Sequence, residues 1–484
     1  MLLAFDVGTS LLKGGLFDRG GALLARAEVP LALISHPDPL WHESDARGWV
    51  AGLAEAAARL GAAGAGRLDA VVVSGNGPTL VPVDGAGAPL APALTWMDRR
   101  GAEEARIISE KSGAPIDPSF YLPKAFWFFR NEPRVYAEAK YFFSCPEYIA
   151  YLLTGVPVTF LPAPQFTRYI WEPSLIAALG MDPSKFPPFI ASGRILGAVS
   201  AAGAAASGIP AGTPVVAAGP DFIVSLLGTA TVFPGRACVR SGTSEGINLC
   251  SSEPVRDRRL LCLGHIAEGC WNVSGMISTS GKALEWCRNA TGRAHASYES
   301  LFAEMEKTIP GANRLLFLPY LAGERAPLWD PNARGAFIGL TLNHGAADML
   351  RAVAESVGYA IRDVVEVMEE TGLAVQDLRI TGRPSRSSLW NQIKADITGR
   401  RILVPAAQDS DLTGDVCLAL RALGDYGSLA EASEAIVKIG SVCEPDEKSR
   451  RLYDEMFGLY RESYGSLKAV FERLSLPLSQ PRSL

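Results

Sequence analysis

The feature that most constrains the fold is a glycine turn that occurs twice. Asp6-Val7-Gly8-Thr9-Ser10 sits between two β-like runs, and so does Arg240-Ser241-Gly242-Thr243-Ser244. Gly8 and Gly242 stand close to half the chain's length apart. A bare Gly-Thr-Ser match arises readily by chance in a chain with 48 glycines. The shared strand context and the half-length spacing point instead to two related halves. Residues 2–6, 11–17 and 22–29 read as strands, with Arg19-Gly20-Gly21 turning between the second and third. The opening is therefore an antiparallel hairpin, not the strand–loop–helix of a nucleotide-binding βαβ unit. G-x-x-x-x-G-K-[ST] is absent, since Lys13 precedes Gly14 and Gly15, and G-x-G-x-x-G is absent too. Two such hairpins facing one another across a cleft would offer N–H groups and hydroxyls to a polyphosphate from both sides.

At 484 residues the chain exceeds one ordinary core, so two or three domains are expected. The boundary falls near Phe233-Pro234-Gly235, just before the second hairpin. The division is then 1–235, 236–440 and a helical segment, 441–484, whose Pro/Ser-rich end from Leu476 to Leu484 reads as frayed. Ala70–Ser74 and Thr213–Ala218 are short apolar runs that suit buried strands. Helical patterning covers 47–62, 99–112, 348–371 and 447–474. Strands and helices mixed in this way indicate an α/β protein with mixed sheets.

Composition excludes several classes. Net charge is −5 with both signs interspersed, so no basic patch argues for nucleic acid. No apolar run reaches the ~20 residues that span a bilayer, and no membrane association is expected. The N-terminal Met-Leu-Leu-Ala-Phe-Asp has no basic n-region, so a secretory leader is not expected. Eight cysteines without a C-x-x-C pair read as buried free thiols in a reducing compartment, and a cytoplasmic location follows. Five scattered histidines do not suggest a metal cluster.

Three acids carry most of the candidate chemistry. Asp6 ends a strand beside the first glycine turn. It is either a turn aspartate bonding to nearby N–H groups or a carboxylate that holds the Mg²⁺ of a nucleotide. Lys13 is either a solvated strand lysine or a cation that neutralises charge during phosphoryl transfer. Asp221 follows the buried run and Pro220 and precedes an apolar helix. An N-cap is the plain reading, and a general base that takes a proton from a substrate hydroxyl is the sharper one. Asp98, in Thr95-Trp96-Met97-Asp98-Arg99-Arg100, has the same two readings. Gly242-Thr243-Ser244-Glu245-Gly246 matches G-x-S-x-G, with His265, His295 and His344 downstream. A nucleophile elbow needs a helix to start at the serine, whereas Ile247–Cys250 continues as a strand.

Together these segments resemble the FGGY carbohydrate kinases. The resemblance is carried by DVGTSLLKGGLFD at the start, by SGTSEGI, and by LPYLAGERAPLWDPNARGAFIGLT at 318–341 running into DMLRAVAESVGYAIRDVV. Val73-Ser74-Gly75-Asn76, the W-x-D-x-R segment at 93–100 and Lys124-Ala125-Phe126-Trp127 fill the gaps, so the likeness spans 1–440. It implies two actin-like (ribonuclease-H-like) domains flanking a central cleft, and ATP-dependent phosphorylation of a hydroxyl of a small sugar, ketose or polyol. It implies further that Gly8, Thr9, Ser10 and Lys13 meet the terminal phosphates, with Asp6 and Asp221 near Mg²⁺. Gly242, Thr243, Gly281, Gly382, Arg383 and Ser387 would serve phosphate or nucleoside from the second domain. Asn76, Trp96, Asp98 and Asp221 would face the sugar, with Asp221 as general base. A homodimer is a compatible assembly.

The chain also departs from that family. Where an adenosine loop usually reads Gly-Gly-Gly-Ala, Gly382 is followed by Arg383-Pro384-Ser385, and Gly-Ala-Ala downstream is Gly414-Asp415-Val416. Proline removes an N–H donor and fixes φ, which changes what the loop offers a nucleotide. A xylulokinase-like Gly-Gln-Met-His-Gly becomes Gly75-Asn76-Gly77-Pro78-Thr79, and the residue after the base, often asparagine, is Phe222. The leading expectation is a xylulokinase-like sugar kinase. The alternative is a non-catalytic sugar- or nucleotide-binding protein on a kinase scaffold.

Overall fold

The structure, a computed structural model, describes residues 1–64 and 67–476. Two compact units divide it. The first unites Met1–Val232 with Leu263–Gly269 and Asp409–Val437, and the second unites Phe233–Cys262, Cys270–Gln408 and the chain from Lys438 onward. A linear division at 235 and 440 does not contain this return of Asp409–Val437 to the first unit. The frayed end expected at Leu476–Leu484 lies, apart from Leu476, outside the described residues.

In the first unit, β1 (Leu2–Val7), β2 (Leu11–Phe17) and β3 (Leu23–Pro30) form an antiparallel meander. β4 (Ala70–Gly75) joins β1 in parallel, and β6 (Pro214–Val216) joins β4 in parallel. With β5 (Ile195–Ala198) at the edge, the order is β5-β6-β4-β1-β2-β3. β1 and β4 are central because every residue in LLAFDV and AVVVSG is buried, as near-continuous apolar runs require. The crossover between β3 and β4 is made by α1 (Ala46–Arg59). Asp45 caps it, accepting from the Arg47 N–H, and Trp49, Leu53, Ala56 and Ala57 line its buried face. α1 stops short of the expected residue 62 because Gly61 turns left-handed at φ 67.

The second unit repeats the arrangement. β7 (Arg236–Ser241), β8 (Glu245–Ser251) and β9 (Trp271–Ile277) are the antiparallel meander. β10 (Asp377–Thr381) and β11 (Arg401–Pro405) extend it in parallel from β7, and β12 (Ile439–Cys443) closes the edge. The two-fold repeat of the turn is thus a two-fold repeat of sheet topology. β8 begins one residue after Ser244, so the G-x-S-x-G match has no helix at its serine. The expected helix at 348–371 is α5 (Ala346–Glu370), and that at 447–474 is observed as α8 (Glu447–Leu474). The latter is no loose appendage: Tyr453, Met456, Phe457 and Tyr460 recur at helical spacing and are buried, and the Tyr460 hydroxyl lies 2.7 Å from that of Tyr320. The helix expected at 99–112 starts only at Ala102, because the N–H groups of Arg99 and Arg100 are taken by the Leu40 carbonyl and the Asp98 carboxylate. All eight cysteines are free thiols, and no described helix is long and apolar enough to cross a membrane.

The segment 318–341 contributes a buried acid with a defined titration. One oxygen of Glu324 accepts from the backbone N–H groups of Ser278 and Arg325, both at 2.7 Å, and the other is buried without a partner. Burial pushes the carboxyl up to about 7, against the pull of those two N–H groups. The folded state therefore holds a proton that the unfolded chain releases near its ordinary 4.5. Its stabilising contribution is complete below that value and is lost as pH rises through about 7. Glu324→Gln keeps the accepting oxygen and cannot ionise. Thermal melts at pH 5.5 and 8.5 are expected to show a smaller fall in Tm for the variant than for the parent chain. An equal fall in both would assign the pH dependence elsewhere.

Candidate active site

In the first unit, the register of β1 against β2 sets Asp6 opposite Lys13. The Lys13 ammonium lies 3.0 Å from Asp6 Oδ2 and 3.2 Å from Asp411 Oδ2, with Asp409 Oδ1 at 3.9 Å. Burial opposes its charge, yet Asp6 and Asp411 outweigh burial and raise its pKa well above the usual lysine range. Asp6 is buried, and its Oδ1 has no hydrogen-bond partner. Burial, with added repulsion from Asp411 and Asp221, pushes its pKa up to about 6 despite Lys13. The Lys13 ammonium thus faces Asp6, Asp411 and Asp409, and the unpartnered oxygen of Asp6 is placed to accept a cation.

Asp411 and Asp415 were not singled out as site residues by sequence, because they reach the cluster from far along the chain. They ride on α7 (Ser410–Ala422), which crosses α3 (Asp221–Gly228) at two glycines. A Cβ on Gly228 would stand 1.8 Å from the Ser410 carbonyl oxygen, and one on Gly414 2.1 Å from that of Val224. Gly414 in Gly414-Asp415-Val416 is therefore required by backbone approach. Asp415 accepts from the Ser74 hydroxyl at 2.8 Å, and its other oxygen is buried without a partner. The available signal was the acid-dense start of a helix, Asp409-Ser410-Asp411, just past a buried strand.

Asp221 is the first residue of α3 and not its cap. Pro220 holds the cap position, and Asp221 Oδ1 accepts from the adjacent Phe222 N–H at 2.7 Å. The structure places it at the ends of β1 and β4, where Gly75 bridges to Pro220. Asp221 is half-buried.

The other residues expected near the sugar are more tightly engaged. Asn76 is buried, donates to the Val7 carbonyl at 2.9 Å and accepts from the Thr79 hydroxyl. Trp96 Nε1 donates to the Thr9 hydroxyl at 2.9 Å, which joins the W-x-D-x-R segment to the first turn. Asp98 is wholly buried. It accepts from the His42 N–H and from the Arg100 guanidinium, which lies 3.7 Å over the Trp41 ring. Its oxygens are thereby committed within the protein. Lys124, on α2 (Tyr121–Asn131), is a buried amine that donates to the carbonyls of Pro78 and Thr95, and burial holds its pKa well below the usual lysine range. In the turn itself Gly8 is needed, since a Cβ would stand 2.7 Å from the Leu11 carbonyl oxygen. Ser10 is exposed at its tip.

The second unit sets its own turn on α4 (Gly281–Ala290). The carbonyls of Gly242 and Thr243 accept from the N–H groups of Gly281 and Ser280, both at 3.0 Å, so Gly242, Thr243 and Gly281 are brought together. Beneath them Glu245 Oε1 accepts from Ser241 at 2.8 Å, Ser280 at 2.9 Å and Lys394 at 2.6 Å. Lys394 and Glu245 are buried, on α6 (Ser388–Thr398) and β8. This ion pair also went unread in the sequence. The altered loop keeps its first glycine for a steric reason: at φ 93, a Cβ on Gly382 would lie 1.9 Å from the Ser241 carbonyl oxygen. Arg383 to Arg386 then form a 3₁₀ turn with Arg383 exposed, and the Ser387 hydroxyl caps α6. A cavity of about 250 Å³ opens beside this turn, lined by Thr381, Ser385, Arg386, Val404, Pro405 and Gln408 among others.

Comparison with known proteins agrees with the geometry of both units. Residues 1–228 match the N-terminal domain, and residues 237–423 the C-terminal domain, of the FGGY family of carbohydrate kinases. The chain is 28% identical to a xylulose kinase of Escherichia coli over 99% of this chain and 100% of that one. It is equally identical to a gluconokinase of Bacillus licheniformis, over 95% and 94%. A solved xylulose kinase from Rhodospirillum rubrum superposes with a TM-score of 0.84 at 28% identity, covering 97% of this chain and 99% of that chain. A gluconate kinase from Lactobacillus acidophilus shares the fold, with a TM-score of 0.88 at 24% identity over 98% and 99%. With both domains matched in order and the α/β fold of two actin-like domains in place, the chain belongs to the FGGY family of carbohydrate kinases.

Proposed function

We propose that this carbohydrate kinase transfers the γ-phosphoryl group of ATP to a hydroxyl of a small sugar, ketose or polyol, with Asp221 as general base. The observation that carries the reading is the charge arrangement in the first unit. A buried Asp6 with an unpartnered oxygen, Lys13 bridging Asp6 and Asp411, and Asp221 in the same field gather carboxylates and a cation at one place. In the reaction, Asp221 accepts the proton of the attacking hydroxyl while Lys13 offsets charge on the phosphoryl oxygens. A loose transfer of this kind asks mainly for positioning and charge neutralisation. The turn at Gly8, Thr9 and Ser10 offers donors to the terminal phosphates, and the turn at Gly242 and Thr243, supported by Gly281, does so in the second unit. Gly382, Arg383 and Ser387 serve the nucleoside end. On the sugar side half-buried Trp96 offers its ring, since its one polar atom already donates to Thr9. Asn76 and Asp98 act by holding that side in shape, because their polar atoms are already bonded.

Mg²⁺ fits the residues present. Asp6 supplies a free buried oxygen and Asp221 a second carboxylate. Mg²⁺ bound to phosphates needs only one or two protein carboxylates. Among the described residues no group of three acidic, histidine or cysteine side chains is placed to hold a metal ion by itself. When bound, the ion would neutralise phosphate charge. The division of labour expected at residues 1–235 and 236–440, sugar side and nucleotide side, is part of the same reading, as is a cytoplasmic location.

The test is ADP release with ATP and Mg²⁺ over a panel of pentuloses, hexuloses, polyols and aldonates, beside calorimetry with ATP–Mg²⁺. Turnover on at least one ketose or polyol, together with a measurable heat of nucleotide binding, is expected. Folded protein that binds no ATP and turns over nothing would overturn the reading.

A further inference from the structure

Phe222, the residue after the proposed base, belongs to an aromatic cluster within the first unit. Its ring lies 5.6 Å from that of Tyr169, nearly edge-on at 72°, and 6.3 Å from that of Phe166. Tyr169 in turn meets Phe120 at 4.6 Å and Tyr121 at 5.7 Å. Phe166, Tyr169 and Tyr121 are buried, whereas Phe222 is half-buried like Asp221 beside it. The cluster and the carboxylate share one neighbourhood: burial raises the Tyr121 and Tyr169 phenols far above their ordinary value, with Asp221 among the charges that add to the effect.

The geometry points to a specificity role. We propose that Phe222, backed by Phe166 and the ring of Tyr169, forms an apolar wall beside the reacting hydroxyl, selecting a sugar or polyol with an unhydroxylated carbon there. This rests on the reading of Asp221 as base. A methyl or deoxy methylene against the ring leaves water with nothing lost. A hydroxyl in the same place gives up its water partners, and the face of the Phe222 ring returns none. One missing or extra group in such a pocket discriminates by roughly 10–200-fold. An asparagine at this position would reverse the preference by supplying both a donor and an acceptor. The wall is fixed from behind, because Phe166 and Tyr169 are packed and Phe222 is anchored by its N–H on Asp221 and by its carbonyl on the Ser225 hydroxyl, 3.0 Å away.

The experiment measures kcat/KM by ADP release for substrate pairs that differ in one hydroxyl or one methyl: D-xylulose against 1-deoxy-D-xylulose, L-tagatose against 6-deoxy-L-tagatose, and erythritol against 2-C-methylerythritol. The parent enzyme is expected to favour the less hydroxylated or methyl-bearing member at least ~10-fold in one pair or more. Phe222→Asn should cut that ratio by ~10-fold or more with the KM for ATP unchanged, and Phe222→Leu should retain it. Preference for the more hydroxylated member throughout, or a ratio unmoved by Phe222→Asn in folded protein, overturns the inference and leaves the kinase reading standing. Turnover of none of the six overturns the inference, while ADP release on other members of the wider panel then decides the kinase reading separately.

Discussion

Asp221→Asn is expected to lower kcat by about 10²–10⁴-fold, the usual worth of a general base, while leaving the protein folded and the nucleotide bound. The substitution is close to isosteric. Asparagine keeps an oxygen where Asp221 Oδ1 accepts from the Phe222 N–H, and Pro220, not Asp221, holds the cap position of α3, so the helix loses no cap. A capping aspartate replaced by asparagine would change little, since the two cap almost equally well. The measurement therefore separates the two readings that the sequence left open. Steady-state kinetics should show the loss in kcat, with the sugar KM altered far less. Calorimetry with ATP–Mg²⁺ should show heat of the same order in both proteins, because Asp6 and Lys13 remain and the introduced amide keeps an oxygen for the ion. A variant with near-normal kcat would remove Asp221 from the chemistry and leave it as a first-turn acid of α3 that complements the helix dipole.

How much of this was legible in the sequence depended on whether the signal was local. Both hairpin turns could be read because a strand–turn–strand is specified by neighbours: an apolar run, a glycine turn, which at Gly8 must approach Leu11 closely, and a second run. The same holds for β4, whose six apolar or small residues fit nothing but a buried strand, and for the regularly spaced apolar face of α8. What escaped was set by long returns of the chain. Asp411 meets Lys13 across 398 positions, and Lys394 meets Glu245 across 149. No pattern around either residue distinguishes a buried partner from a solvated charge. The fate of Asp98 was hidden for a related reason. Arg100, two residues on, reads as an ordinary surface cation until Trp41 and Trp127 are seen to enclose its guanidinium and direct it onto the carboxylate. Gly382 and Gly414 show the converse. Both stand inside segments that differ from the family pattern, yet each persists where a Cβ would strike a carbonyl oxygen.

Lys394→Met is expected to destabilise the second unit by about 3–5 kcal/mol, the range for breaking a buried pair by removing one partner. The cost does not come chiefly from the lost attraction. Glu245 is wholly buried, one of its oxygens already lacks a partner, and without the ammonium it keeps only the hydroxyls of Ser241 and Ser280. A carboxylate in that position must either stay charged without compensation or take up a proton. The double variant Lys394→Met with Glu245→Gln tests this directly. The introduced glutamine amide retains an acceptor for both serines and carries no charge. Denaturant unfolding should therefore recover a large part of the lost stability, and the cycle should report coupling of more than about 1 kcal/mol. The pair also carries position. Through Ser241 and Ser280 it ties α6, and with it the turn from Gly382, to the hairpin at Gly242 and Thr243. The single variant should therefore raise the KM for ATP more than that for the sugar, even at a temperature where it is fully folded. Equal stability in the single and double variants would mean that Glu245 without its ammonium costs nothing, and an unchanged KM for ATP would mean that the pair does not hold the Gly242–Thr243 turn in place.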